Sequence, residues 1–223
     1  MTGGLFLDYV DPWINWDWVS RHVSLILTSL LAHVELTVIT VAVALVIALP
    51  IGVIAQRQPA FRAAALTLFG VFYTIPSIAL FALLIPYTGL STLTGEIGLV
   101  AYALLILTRN VIVGLDAVPA DVRDAADGMG YRAFARLVRV ELPLALPAIF
   151  AGVRIATVTT IGLITITAVI GLDSLGQLIL TGLTDGVHTP LVVGTVLSVA
   201  FAFVADLALA AGERVAVPWA RPA

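Results

Sequence analysis

The chain has 223 residues, of which 61% are hydrophobic and 11% charged, against about a quarter charged in an ordinary soluble domain, and its mean hydropathy of +1.10 excludes a water-soluble globular protein. All eleven basic residues are arginine and cysteine is absent, which excludes a Schiff-base lysine, a P-loop lysine, disulfides and thiolate metal sites. The net charge of −3 is scattered over isolated positions, without the basic patch that nucleic acid requires.

The length leaves room for about five or six membrane spans of about 20 residues each. Residues 1–23 read as an N-terminal interfacial segment. Asp8 and Asp11 without a positive region argue against a secretory signal peptide, and Trp13, Trp16 and Trp18 suit a membrane–water boundary. The apolar run from Val23 to Ala55 is too long for one span and is expected as two pieces. Before His33, Asp17, Arg21, Ser24 and Thr28 recur at helical spacing opposite Val19, Val23, Ile26 and Leu30, the pattern of an interfacial helix. Five spans are then expected at 34–56, 63–87, 97–116, 145–170 and 190–212, within a transmembrane domain of residues 24–212 followed by a cytoplasmic tail, 213–223. Pro76 and Pro86 interrupt the second span, which leaves two half-helices as the alternative to a continuous one.

Arg57 and Arg62 follow span one, Arg123, Arg132, Arg136 and Arg139 follow span three, and Arg214 and Arg221 follow span five. The opposite connections carry Glu96, Asp173, Asp185 and His188. The positive-inside rule therefore predicts a multi-pass cell-membrane protein with its N-terminus outside and its C-terminus inside.

The one long polar segment, Asp116 to Glu141, reads as two helices and a turn. Pro119 opens the first, with Asp121 and Asp124 at its positive end, and Gly128-Met129-Gly130 breaks it. The second, Tyr131 to Val140, carries Arg132, Arg136 and Arg139 on one side until Pro143 stops it. Loss of charge at Arg136 and Arg139 is expected to weaken mainly orientation or lipid contact.

Asp124-Ala125-Ala126, three residues, Gly130, nine residues, Val140, one residue and Leu142-Pro143 match the cytoplasmic signature (acidic-Ala-Ala, x3, Gly, x9, aliphatic, x, Leu-Pro) of permease subunits of binding-protein-dependent ABC importers. The resemblance covers most of residues 24–212. Leu31-Ala32-His33-Val34-Glu35-Leu36, Tyr73-Thr74-Ile75-Pro76-Ser77, Arg109-Asn110 and Leu142-Pro143-Leu144-Ala145-Leu146-Pro147 are similar to its osmoprotectant branch, the glycine betaine, choline and carnitine permeases. The chain departs from that branch at Gly171 to Gly176, where a glycine-rich run is usual and Asp173 and Ser174 stand instead.

The resemblance implies an all-α, five-span, type I permease fold like that of the methionine permease. It also implies a coupling loop, 117–143, in which Asp124, Ala125, Ala126, Gly128, Met129, Gly130, Tyr131, Leu142 and Pro143 engage a cytoplasmic ATP-binding subunit. Other implied partners are an extracytoplasmic substrate-binding protein and a second permease chain, identical or paralogous. The chain itself would carry no catalytic residue, metal or cofactor, ATP being bound by the partner. An amino-acid permease of the methionine type is the alternative. An ion-coupled secondary transporter with Glu35, Arg109 and Asp206 as relay groups is the rival from another class.

Within the spans, Thr74, Pro76 and Ser77 break a helix and, with Arg109 and Asn110, form the candidate translocation path. Arg109 and Arg154 stand in or near hydrocarbon, where a charge needs a partner or water. Asp206 reads as a partner for an arginine, and Thr157, Thr159, Thr160, Thr165 and Thr167 as helix-packing hydroxyls. His22, His33 and His188 are too scattered for a metal site. The aromatic residues form no clustered cage in the spans, which assigns solute selectivity to the binding protein.

Overall fold

A computed structural model describes residues 12–220, all of whose regular elements are helical. Asp8, Asp11 and Arg221 lie outside the described residues. A short helix α1 (Trp16–Arg21) precedes α2 (Val23–Arg57), a helix of 35 residues without interruption. The sequence expectation of two pieces meeting near His33 is corrected here: the only break falls at His22. The hydroxyls along α2 do not interrupt it, because that of Thr28 donates to the Ser24 carbonyl and that of Thr37 to the His33 carbonyl within the helix. At 1.5 Å per residue α2 is about 52 Å long, well beyond the roughly 30 Å hydrocarbon layer.

The second expected span is broken. Helix α3 (Pro59–Thr74) and helix α4 (Ser77–Thr88) meet at an angle of 99°. Ile75 precedes a proline and is forced from the helical region to φ −69°, ψ 129°, which sets the bend there. Pro86, inside α4, breaks nothing. The described residues thus hold four helices able to cross a membrane, and a fifth span if the bent pair is counted as one.

Helix α5 (Thr92–Asp116) starts at a Ser91 N-cap. After α6 (Ala120–Gly128) and one turn of α7 (Ala133–Arg136), residues Leu137–Glu141 form a π-helical turn that runs directly into α8 (Leu142–Ile164). Pro143 therefore does not stop the helix, contrary to expectation. Its ring would crowd the carbonyl four residues back, Arg139, and that carbonyl lies in the widened π turn. A 3₁₀ segment (Thr165–Ile170) and Gly171, at φ +81°, lead to α9 (Leu175–Asp185) and then α10 (His188–Ala216).

The core runs as three layers through α2, α5 and α8. Leu36, Phe81, Leu99 and Ile164 fill one end. Ala44, Ala48, Ala103, Leu107 and Ala156 fill the middle, and Val111, Leu115, Leu137, Ala145 and Ile149 the end next to α6. Small residues in the middle layer let backbones approach closely, the packing that holds helices together in lipid. Gly152 shows the limit of that approach: a Cβ there would stand 2.5 Å from the Asn110 Cβ.

Candidate functional site

Two connections, α2 to α3 and α5 to α8, meet the end of α10 at one end of the bundle. Helix α6 lies there, and its C-terminus is a complete Schellman motif. Gly130 adopts φ +83°, its N–H donates to the Asp127 carbonyl at 2.9 Å, and the Tyr131 N–H reaches back to the Ala126 carbonyl at 3.1 Å. Only a residue without a Cβ takes this left-handed position at no cost. Ala126 is buried at 1% exposure, whereas Asp124, Ala125 and Gly128 face outward. Tyr131, Leu142 and Pro143 are half-buried.

Met129, 70% exposed, stands at the tip of this turn, and Phe134, 77% exposed, stands on α7. Sequence reasoning missed Phe134, although a lone aromatic between Arg132 and Arg136 in a polar segment was the available signal. Large apolar side chains displayed this openly on a polar segment mark a contact surface.

The segment is tied down by arginines. Arg136 bonds the exposed Asp127 of α6 and, through Nε at 2.7 Å, the buried Glu141 carboxylate. It is a clasp between α6 and the π turn, a contact that the sequence reading did not anticipate. Arg123 donates to the Leu115 carbonyl at 2.5 Å, capping the negative end of α5. Arg62 pairs with Asp116 at 2.7 Å and joins the start of α3 to the same helix end. The opposite end is not free of arginine among the described residues, since Arg21 sits in α1, paired with Asp17.

The candidate path residues fall into two groups. At the bend, the Thr74 hydroxyl donates to the Val71 carbonyl at 2.8 Å, Pro76 is exposed and Ser77 half-buried. The Tyr102 hydroxyl donates to the Ile75 carbonyl freed there. Arg109 and Asn110 lie seven residues further along α5, about 10 Å at 1.5 Å per residue, so the structure does not bring the two groups together. Asn110 bonds its own helix at Ile106 and packs on Gly152, whereas Arg109 is exposed with no bonded partner among the described residues. Arg154 and Asp206 form a bidentate pair at 2.8 and 2.9 Å, with Glu213 at 3.7 Å, as the reading of Asp206 anticipated. Glu35, Arg109 and Asp206 form no relay: Glu35 lines one cavity, Asp206 another, and Arg109 neither. Ser174 is fully buried and caps α9 by accepting from the Gly176 N–H at 3.1 Å, while Asp173 is exposed beside Glu35.

Residues 48–214 match the sequence family described as binding-protein-dependent transport system inner membrane component. The chain belongs to that family. The permease is 37% identical over 179 residues to the osmoprotectant import permease protein OsmW of Salmonella typhimurium, covering 78% of this chain and 83% of that one. It is 30% identical over 186 residues to the glycine betaine/carnitine/choline transport system permease protein OpuCB of Bacillus subtilis, covering 83% and 86%. Among solved structures, a chain of the inward-facing MetNI methionine ABC transporter superposes with a TM-score of 0.79 at 23% identity, covering 88% of the permease and 98% of that chain. That likeness confirms the methionine-permease-like fold. The family places the permease in the inner membrane as a transport subunit that works with an ATP-binding subunit and a substrate-binding protein.

Proposed function

We propose that the permease forms the transmembrane path of an ATP-driven importer for small osmoprotectants such as glycine betaine, choline or carnitine. The observation that carries this reading is the agreement over most of the chain with an osmoprotectant import permease, which includes the Schellman-ended segment 117–143. Met129 and Phe134 enter a groove of the ATP-binding subunit, while Gly130 sets the turn and the Arg136 clasp makes α6, α7 and α8 move as one piece. The positive-inside rule puts this end in the cytoplasm, with the N-terminus and α9 outside, where α9 and Asp173 meet the solute-loaded binding protein. A second permease chain completes the path.

The chain needs no cofactor, because ATP binds to the partner and its closure reaches the spans through α6. ATP binding and solute delivery each favour one of two linked states, and each therefore changes the affinity for the other. The broken helix at Ile75-Pro76, where the proline nitrogen has no hydrogen to donate, is the element of the path that bends when the spans rearrange.

The test is growth at high salt of an osmoprotectant-uptake mutant supplied with the permease, its ATP-binding subunit and its binding protein. Restored growth with glycine betaine, choline or carnitine supports the reading. Restored methionine uptake instead would assign the chain to amino-acid import, and solute transport without the ATP-binding subunit would overturn the ATP-driven mechanism.

A further inference from the structure

A groove of about 460 Å³ runs along α8 beside α10, and its lining includes Ala151, Arg154, Ile155, Val158 and Asp206. Arg154 stands within a long uncharged stretch, with residues 142–153 before it and 155–172 after it. Residues 189–205, also uncharged, precede Asp206, and six more, about 9 Å of helix, separate it from Glu213. The pair therefore lies at a depth where an ordinary helix face meets hydrocarbon. Its exposure decides what covers it. The side chains of Arg154 and Asp206 are 33% and 34% exposed. Asp206 accepts two of the five guanidinium N–H groups, and Nη1 stands 3.7 Å from Glu213, beyond hydrogen-bond distance. Among the described residues, the Nη1 hydrogens thus have no acceptor, and acyl chains carry none. Charges inside a span face either the protein interior or a water-filled cavity, and exposure by one third leaves the second.

We infer that this groove is a stretch of the water-filled path, so that solute passes along α8 and α10 at the level of Arg154. The inference deepens the function proposed above and rests on it. It adds a face that the sequence did not single out, since neither the Thr74–Ser77 bend nor Arg109 and Asn110 lines the groove. Water supplies the acceptors that the Arg154 Nη1 hydrogens lack, and it screens the pair from hydrocarbon. A second permease chain faces the groove across that water instead of packing into it. Close packing of two helices in lipid calls for small residues along the contact, whereas Ile155 and Val158 stand exposed on this face.

The chain has no native cysteine, so single cysteines report water directly. The variants are Ile155→Cys and Val158→Cys in the groove, with Val46→Cys and Val204→Cys as exposed apolar controls. Val46 is eleven residues from Arg57 with no charge between them, and Val204 stands about 200° around α10 from Asp206. Each permease–ATPase complex in lipid nanodiscs, with and without a non-hydrolysable ATP analogue, is treated with a methanethiosulfonate bearing a trimethylammonium group. The mass of the permease chain reads the modified fraction over time. A thiol in hydrocarbon stays protonated and unreactive. The expected result is that both groove cysteines react at least about tenfold faster than either control in at least one nucleotide state. Rates equal to the controls in both states would overturn the inference, and so would an Ile155→Cys disulfide between two permease chains in place of modification. Co-purification of the ATPase checks assembly, and where one groove variant fails it the other decides. Solute transport by the complete wild-type system separates the two readings: intact transport with unreactive groove cysteines refutes this stretch of path alone, and absent transport refutes the proposed function.

Discussion

Replacing Gly130 by alanine isolates one physical quantity, the cost of the left-handed turn that ends α6. The residue sits at φ +83° with no atom within 4 Å of where a Cβ would stand, so the substitution meets no steric obstacle. What remains is intrinsic backbone strain, about 1–2 kcal/mol for an L-residue in this region. That strain is borne by the turn alone, because Gly130 is exposed and the layers of the core do not touch it. With the loss of unfolded-state freedom offsetting part of it, the net change is about 1 kcal/mol, or about fivefold in the ratio of native to non-native turn. Docking that requires the native turn weakens by up to that factor, since the apparent dissociation constant scales inversely with the competent fraction, which follows the ratio in full only where the free turn is marginal.

The assay is a titration of the ATP-binding subunit onto the permease in nanodiscs, with Tm of the permease as a control. Gly130→Ala should weaken association measurably, by up to about fivefold, at unchanged Tm. Gly130→Asn should fall closer to wild type, because asparagine tolerates the left-handed region better. Gly128→Ala, inside the helix and equally uncrowded, should bind as wild type. Wild-type binding by Gly130→Ala, or equal losses for alanine and asparagine, would refute the strain argument.

Gly176→Ala would place a Cβ 2.1 Å from the Thr165 carbonyl oxygen. Backbone cannot yield there as a side chain can, so stability should fall by an amount typical of overpacking, about 1–3 kcal/mol, and Tm with it, whereas Gly162→Ala, inside α8 with open space around it, should not lower Tm and should raise it slightly. Arg154→Met and Asp206→Leu should each lower Tm, and the double variant should recover part of the loss, because removing both charges leaves neither of them unpaired and only Glu213 loses its 3.7 Å contact with Arg154; additive losses in the double-mutant cycle would show that the pair does not hold α8 to α10. Tyr102→Phe strips the Ile75 carbonyl of its donor at the bend, a loss of about 1–3 kcal/mol. Its Tm should lie below that of Tyr73→Phe, whose hydroxyl makes no hydrogen bond among the described residues.

Much of the coupling segment was legible in the sequence because its signals are local. Pro119, Gly128, Gly130 and the acidic first turn act on residues within one helical turn of themselves, and α6 ends where they dictate. Ile75-Pro76 breaks its helix for the same reason, through the clash between a proline and the residue before it. The role of Arg136 was not legible. Its partner Glu141 lies on the same short stretch, but only the π turn folds that carboxylate inward, and its other partner belongs to α6. The unbroken α2 was misread because hydroxyl residues satisfied inside a helix look, in sequence alone, like residues seeking water. Phe134 was overlooked because exposure is a property of the packed chain.

Composition and hydropathy by themselves determined that this chain lives in a membrane, since burial of apolar surface and the cost of charge in hydrocarbon act on each residue wherever the fold places it. The absence of lysine likewise excluded a P-loop phosphate site without any structure. The pairing of Arg154 with Asp206, 52 residues apart, was decided only by the tertiary structure. So was the hydrogen bond from Thr40 to Glu96, which joins α2 to α5 across 56 residues. Contacts between distant segments depend on how whole helices cross, and helix crossing is set by the fit of every small residue in the layers between them.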